Sequence, residues 1–376
     1  MNYLGQPHLL FMQRKVIYTL LLTVLICACE NNAPPQEFQE LIERNNSFWD
    51  SRSTLKNNTL QEKIFPTPDR SISIVEQRTN RLYINSMQCQ YEVFINDVML
   101  RKFTGPSTKN GSGVTGDYDI NQLMLTSGSH EIKVRIYPRY GLKAFPKEEG
   151  QMKLVLSHLI DRNLNTVKYS PELKGHNGVI ISQSDKQWVS KYNEEFQEEY
   201  DGEYQAKFPN KFEGLPVYEW RSTFQAQVPF DLTGWRASVN LKEEYDNNAG
   251  SVIQELTQQY EHLYALIKNK NVDQYLNLVK EREALITSSL LYKRSDEPLR
   301  QQELIRLIRS DEYELQPLLK ETFKLEFQAY GNLVMLLHKA DGEGVIRLKN
   351  KNNSKDIIFI DLRFHRKKAR EPLTII

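Results

Sequence analysis

The feature that most constrains the fold of this chain is an alternation of apolar and polar residues, which recurs over about residues 71–242. Successive side chains of a β-strand point to opposite faces, so such an alternation predicts strands with one face on a core and the other in water. The polar positions Glu131, Lys133 and Arg135 are therefore expected to face solvent. The clearest runs are Ile132, Val134 and Ile136; Trp220, Ser222, Phe224, Ala226 and Val228; and Trp235, Ala237, Val239 and Leu241.

Turn-forming residues divide this region into short strands. Asn96-Asp97 lies between the segments "YEVFI" and "VMLRKF", and "TSGSH" at 126–130 predicts a second turn. Many short strands joined by turns are typical of an antiparallel β-sandwich, which we predict for residues 67–244. The stretch "INQLMLTSGSHEIKVRIYP" resembles the strand–turn–strand unit of immunoglobulin-like and jelly-roll binding modules, and this resemblance implies a sandwich of one of those kinds.

After Lys242 the apolar residues follow a helical period instead. Helices are predicted over 252–267 and 272–286, and further helices around 299–309 and 315–323. Four strand-like runs follow: "KLEFQAY", "LVMLLHK", "GVIRLKN" and "IIFIDLRFH". Helices followed by such strands over residues 245–376 resemble the cone-shaped α+β fold named after nuclear transport factor 2, which implies a cavity between sheet and helices. The whole chain is therefore predicted to be α+β.

The N-terminus has the layout of a secretory signal. Arg14 and Lys15 precede an apolar run over residues 16–27, which is shorter than the about 20 residues that a membrane span needs. Ile26-Cys27-Ala28-Cys29 then resembles the lipobox of bacterial lipoproteins. The resemblance implies a signal peptide over residues 1–28, cleavage before Cys29 and lipid on the Cys29 sulfur, which would hold the protein on a membrane through its acyl chains. Either Met1 or Met12 could be the true start.

Two further expectations concern the segment after this cysteine. Glu30 stands where lipoproteins of the inner membrane typically have aspartate, so the outer membrane is favoured, in either leaflet. Residues 29–66 are polar and interrupted by Pro34-Pro35 and paired asparagines, which predicts a flexible tether.

Composition excludes some partners. The whole chain has 49 basic and 48 acidic residues, and loss of Arg14 and Lys15 with the signal would change its net charge from +1 to −1. Over the whole chain this balance gives no basic footprint for nucleic acid, and none for an anionic membrane surface. With Cys27 removed and Cys29 lipidated, Cys89 would be the remaining thiol, and we predict that it packs as a small buried hydrophobe.

The sequence contains no motif that identifies a reaction. It lacks H-E-x-x-H and G-x-S-x-G, so neither a zinc hydrolase nor an activated serine is indicated, and no catalytic residue, metal ligand or cofactor is assigned. The glycine-rich segment at 104–117 lacks the G-K-[ST] order of a phosphate loop, and we predict a flexible hairpin loop there. The acids Glu281 and Glu283 are too close in sequence to face one another on a helix as a catalytic pair.

An acidic and aromatic segment, "YNEEFQEEYDGEY" at 192–204, is the first candidate for a partner-binding site. It lacks the calcium-loop spacing, so it is interpreted either as a solvated segment or as a surface for a basic partner. The candidate binding residues are Glu194, Glu195, Glu198, Glu199 and Asp201.

These observations favour a membrane-anchored, non-catalytic lipoprotein of the cell envelope that binds a protein partner, for instance an immunity protein against a toxin. The alternative is an envelope hydrolase, or a glycan- or small-ligand-binding protein, that uses a cavity in the C-terminal domain. Whether the chain is an enzyme stays open at this stage.

Overall fold

The computed structural model of the protein describes residues 78–147, 149–160, 163–169, 172–174, 178–180, 187–191, 199–202, 217–290, 302 and 305–376. Every described residue belongs to one unit of the chain, Pro35–Ile376. The predicted signal peptide, Cys29 and the predicted tether lie outside the described residues.

The first part of the described chain consists mainly of β-strands that pair antiparallel in two sheets. One sheet has the order β4-β1-β6-β8-β9 with β7 beside β6, and the other has the order β11-β10-β12-β5-β2-β3. The strand bounds are β1 Arg78–Met87, β2 Gln90–Ile95, β3 Val98–Phe103, β4 Thr115–Asp119, β5 Gly128–Tyr137, β6 Gln151–Ile160, β7 Asn163–Tyr169, β8 Glu172–Lys174, β9 Gly178–Ile180, β10 Gln187–Lys191, β11 Glu199–Gly202 and β12 Tyr218–Ala226.

Alternate residues of both sheets enter one hydrophobic cluster. Leu82 and Ile84 of β1 belong to it together with Val93 of β2 and with Ile132 and Val134 of β5. The period-two pattern thus correctly predicts the strands over 132–136 and 220–226, and Ile132, Val134, Ile136, Phe224 and Ala226 lie in the cluster as predicted. The immunoglobulin-like or jelly-roll character of this part stays a prediction.

The predicted hairpin at Asn96-Asp97 is confirmed. It joins β2 to β3, and both turn residues have positive φ, 49° and 61°. Two residues in this left-handed conformation characterise the tight turn whose twist matches paired strands, and asparagine and aspartate tolerate it better than most residues.

Two other predicted strands are wrong. Asn121–Met124, within the predicted strand–turn–strand unit, forms a short helix, α1. The alternating run from Trp235 to Leu241 consists of turns and then the start of helix α2, Leu241–Asn247. Asn240 caps α2, because its side-chain oxygen accepts hydrogen bonds from the amides of Lys242 and Glu243.

The second part of the described chain is a set of helices followed by antiparallel strands. Many of its apolar residues, including Leu256, Tyr260, Val334 and Phe364, form a second hydrophobic cluster, whereas Leu333 packs in the first cluster together with Leu285 and Ile376. The strands form one sheet of order β13-β16-β17 and another of order β14-β15-β18-β19, where the cone-fold resemblance implies a single curled sheet. The bounds are α3 Ala249–Lys268, α4 Val272–Leu278, α5 Lys280–Ser289, β13 Tyr313–Leu315, β14 Phe323–Gln328, β15 Leu333–His338, β16 Ile346–Asn350, β17 Ile357–Ile360, β18 Phe364–His365 and β19 Thr374–Ile375.

Sequence predictions for this part are confirmed in most places. Helix α3 covers the predicted 252–267, and the four strand-like runs are strands. The helix predicted over 272–286 is divided into α4 and α5 at Val279, and residues 305–309 are helical. The helix predicted around 315–323 is wrong, because that stretch contains the end of β13, a 3-10 turn and the start of β14. The protein therefore has an α+β fold with antiparallel sheets.

Candidate functional site

The structure describes only two of the six residues that the sequence assigns to a site, Glu199 and Asp201. Cys29, Glu194, Glu195 and Glu198 lie outside the described residues. Glu199 and Asp201 belong to β11, where their backbones are opposite Ser190 and Trp188 of β10. The acidic segment as a partner-binding surface stays a prediction.

Cys89 packs in the interior, as predicted. It is fully buried in the first hydrophobic cluster, and its Sγ lies 3.5 Å from the backbone oxygen of Gln151. Burial raises the pKa of the thiol to about 12, so it stays protonated at neutral pH.

A group of charged residues is buried on the face of β5 that was expected to meet water. Glu131, Lys133 and Arg135 are at most 4 % exposed, which corrects the prediction that they face solvent. We call the group formed by Asp97, Glu131, Lys133, Arg221 and Tyr330 the ionic junction. Two of its members are acids and two are bases, so their charges balance.

The contacts within the ionic junction join the first and second parts of the chain. The Tyr330 hydroxyl donates to Glu131 Oε1 at 3.2 Å, and Arg221 Nη1 lies 3.7 Å from the same oxygen. Lys133 forms an ion pair with Asp97, and its Nζ also lies 4.4 Å from the centre of the Phe94 ring.

Burial raises the pKa values of two members of the ionic junction, Glu131 and Tyr330. Burial raises the pKa of Glu131, although Arg221 and Lys133 act in the opposite direction. Burial and the Glu131 and Asp97 carboxylates raise the pKa of Tyr330 well above its usual value, so the phenol keeps the proton that it donates.

A left-handed turn of three residues holds Asp97. Ala329, Tyr330 and Gly331 have φ of 51°, 56° and 100°. The Ala329 amide donates to the Asp97 carbonyl at 3.0 Å, and the Tyr330 amide donates to Asp97 Oδ2 at 2.8 Å. The two amides bind different oxygens of Asp97, one the backbone carbonyl and the other the carboxylate. The turn is therefore attached to the hairpin between β2 and β3 through a single residue.

A second polar group lies at Ser238, His365 and Glu281. His365 Nδ1 is 2.7 Å from Ser238 Oγ, and its Nε2 is 3.5 Å from Glu281 Oε1. Burial acts to raise the pKa of Glu281, but His365 and Lys367 outweigh it, and the pKa lies below its usual value. Serine, histidine and acid in this order invite comparison with a catalytic triad.

The exposure of this group favours a structural role. Ser238 is 8 % exposed and His365 is 1 % exposed, whereas a nucleophile must reach a substrate carbonyl. The hydroxyl also binds Nδ1, not the Nε2 used in serine proteases. The three side chains tie the turn before α2 to β18 and to the first turn of α5.

The second part of the chain has a shallow depression along the start of α3. Its one carboxylate, Glu255, is already engaged, because Oε2 pairs with Arg366 at 2.7 Å and Oε1 accepts from the Leu373 amide at 2.7 Å. Amide and hydroxyl groups make up most of the remaining polar lining. The depression is lined by Asn248, Gly250, Ser251, Gln254, Glu255 and Gln258.

The burial of His130 can be tested by the pH dependence of the free energy of unfolding. Burial lowers the pKa of His130 from 6.5 to about 4. The unfolded chain therefore binds more protons between these values, so the stability associated with neutral His130 is present above pH 6.5 and is lost as the pH falls towards 4. Between pH 7.5 and pH 5 the wild type is expected to lose about 2 kcal/mol more free energy of unfolding than His130→Gln, measured by urea unfolding. Equal losses would contradict the burial of a neutral imidazole.

Comparison of the chain with protein-family models, with curated proteins and with solved structures returned no match in any of the three. Across the described ranges, no helix combines the length and apolar composition needed to cross a membrane. Within the same part of the chain, no group of three or more His, Cys, Asp or Glu side chains could hold a metal ion.

Proposed function

We propose that the protein is a lipid-anchored, non-catalytic protein of the cell envelope that binds a protein partner. The observation that carries the proposal is Ile26-Cys27-Ala28-Cys29 at the end of an apolar run that follows Arg14 and Lys15. This arrangement supports cleavage before Cys29 and acylation of its sulfur, and Glu30 supports the outer membrane as the destination.

The described structure is compatible with binding rather than chemistry. The charged groups that converge in it are engaged with one another: Asp97 with Lys133, Glu131 with Arg221, and Glu255 with Arg366. These pairs connect separate elements of the fold, and removing one partner of a buried pair is strongly destabilising. A rigid scaffold that displays loops is in turn a common arrangement in binding proteins.

The partner is proposed to have a basic face that meets the acidic segment, and an envelope-directed toxin is one such partner. The test is capture from native envelope extracts with the wild type and with a variant that carries Glu194→Gln, Glu195→Gln, Glu198→Gln, Glu199→Gln and Asp201→Asn. A partner is expected to be retained by the wild type and lost with the variant. A control variant with the exposed acids Glu243→Gln and Asp246→Asn should retain it. Equal retention by all three proteins would contradict the proposed binding residues.

The second candidate function is an envelope hydrolase, because the Ser238 hydroxyl lies 2.7 Å from His365 Nδ1 and Glu281 lies 3.5 Å from His365 Nε2. A serine-reactive fluorophosphonate distinguishes the two functions. We expect no labelling of Ser238, since it is almost fully buried, whereas labelling that disappears in Ser238→Ala would favour the hydrolase. A glycan- or small-ligand-binding role would instead use the depression at the start of α3.

A further inference from the structure

Two loops at one end of the paired sheets are locked together. The first, residues 104–114, contains a 3-10 turn at Pro106–Thr108, and the second, residues 138–150, follows β5. The buried Thr108 hydroxyl donates to the Gly105 carbonyl at 2.9 Å and accepts from the Tyr140 amide at 3.1 Å. The first loop was predicted to be a flexible hairpin, but these contacts tie it to its neighbour.

Further contacts complete the connection. Arg139 binds both oxygens of Glu149 at 2.6 and 2.7 Å, and its Nη1 donates to the Lys109 carbonyl at 2.8 Å. Gln90 accepts from the Gly105 amide and donates to the Pro138 carbonyl, both at 2.8 Å. A bidentate arginine–carboxylate pair adds geometric definition as well as energy. The two loops therefore present one pre-organised surface.

This surface combines exposed aliphatic side chains with lysines. Met87, at the end of β1 beside the first loop, is 50 % exposed, and Leu142 of the second loop is 39 % exposed. Lys109, Lys143 and Lys147 are also exposed, and none of them pairs with an acid within the described part of the chain. We call Met87, Lys109, Leu142, Lys143 and Lys147 the loop tip.

The backbone places Met87 against the first loop. The Ser86 amide donates to the Val114 carbonyl at 3.0 Å, and the Gln88 amide donates to the Gly111 carbonyl at 3.3 Å. The two loops together contain four basic residues, Lys109, Arg139, Lys143 and Lys147, against the acids Glu148 and Glu149, so their balance is basic.

We propose that the loop tip contacts the anionic lipid headgroups of the membrane to which the chain is anchored. This inference rests on the proposed lipid anchor, which would hold the loops at a high local concentration next to the bilayer. Lysine is depleted in protein–protein interfaces, where arginine and aromatic residues are enriched. Lysines beside exposed aliphatic side chains instead match an anionic membrane surface, where the ammonium groups meet phosphates and the apolar side chains enter the interfacial region.

The contact would act as a second attachment beside the acyl chains. Acyl chains leave the orientation of the folded part free, whereas a rigid surface bound to headgroups fixes which side faces the bilayer. The contact is electrostatic, so added salt should weaken it.

The test places an environment-sensitive fluorophore on Leu142→Cys in the acylated protein, reconstituted into vesicles. Buried Cys89 resists labelling, because burial raises the pKa of its thiol to about 12. We expect a blue shift on vesicles that contain phosphatidylglycerol, and none on vesicles of phosphatidylcholine alone. The combined variant Lys109→Gln, Lys143→Gln and Lys147→Gln should weaken this contact on the order of a hundredfold, since each lysine near an anionic surface contributes about fivefold.

The control is the same fluorophore on Leu319→Cys, which is 49 % exposed in the second part of the chain and should remain in water on both kinds of vesicle. If the Leu142 label stays in water on both vesicles, or shifts equally on both, the proposed headgroup contact is wrong. An unacylated protein would instead fail to float with phosphatidylcholine vesicles. Failure to float would contradict the lipid anchor alone. Phosphatidylglycerol vesicles added to the same labelled protein would still show whether the loop tip contacts anionic headgroups.

Discussion

Glu131→Ala is expected to lower the free energy of unfolding by about 3–5 kcal/mol, because it removes one carboxylate from a fully buried group of charges. Glu131 and Arg221 are both 0 % exposed, and the Tyr330 hydroxyl donates to the same carboxylate. Loss of the acid leaves the Arg221 guanidinium and the phenol in a site of low dielectric constant without that acceptor. Urea unfolding at neutral pH measures the change.

Two control variants define what this result means. Asp311→Ala removes an acid from an exposed pair with Lys270, which at 2.7 Å is closer than the 3.7 Å between Glu131 and Arg221, and no resolvable change is expected because solvent screens that pair. Glu131→Gln keeps an oxygen for Tyr330 and should fall between the wild type and Glu131→Ala. If Glu131→Ala is as stable as the wild type, the ionic junction does not hold the two parts of the chain together.

Cys29→Ser is expected to abolish incorporation of labelled palmitate by cells that express the protein. The thioether to lipid requires the sulfur of this residue, so the effect should be complete rather than graded. Cys27→Ser is the matched control, because it changes the other cysteine of the same short segment. We expect that this control incorporates label at the wild-type level.

Cys29→Ser and Cys27→Ser together distinguish a lipidated Cys29 from an uncleaved N-terminal anchor. Equal loss of label in both would indicate that Cys27 also takes part, for instance as an acylated residue of an uncleaved anchor. Retained label in Cys29→Ser would contradict the lipobox, and with it the proposed destination of the protein.

Sequence periodicity predicts those elements whose structure depends on local pattern. The strand over Ile132, Val134 and Ile136, the hairpin at Asn96-Asp97 and helix α3 are all confirmed, because each combines a clear period with a fitting turn or boundary. The run from Trp235 to Leu241 has the same period but contains a helix cap. Asn240 followed three residues later by Glu243 is a known helix-start pattern, and that signal could have corrected the prediction.

The ionic junction could not be predicted from sequence. Glu131, Lys133 and Arg135 alternate with apolar residues as the solvent face of a strand does, and nothing in their spacing indicates burial. Their burial depends on partners distant in the chain, Arg221 and Tyr330 for Glu131 and Asp97 for Lys133. The left-handed turn at 329–331, which binds Asp97, could not be predicted either. Only one of its three residues is glycine, so Ala329 and Tyr330 adopt positive φ because tertiary contacts hold them there.

The loop tip was partly visible in the sequence. The sequence predicts a loop in the glycine-rich segment at 104–117, but it does not predict the connection to the loop at 138–150 through Arg139, Thr108 and Gln90. The direct contacts between the two loops, Arg139 with Lys109 and Tyr140 with Thr108, join residues 30 or more positions apart, and local propensity contains no information about them.

The central claim is that the chain begins, after processing, at a lipidated Cys29, and the mass of the N-terminal peptide of the purified membrane protein tests it most directly. We predict a peptide that starts at Cys29 and carries the added mass of a diacylglycerol group on sulfur, with a further acyl chain on the new amino group. A peptide that starts at Met1 or Met12, or an unmodified Cys29, would contradict the account.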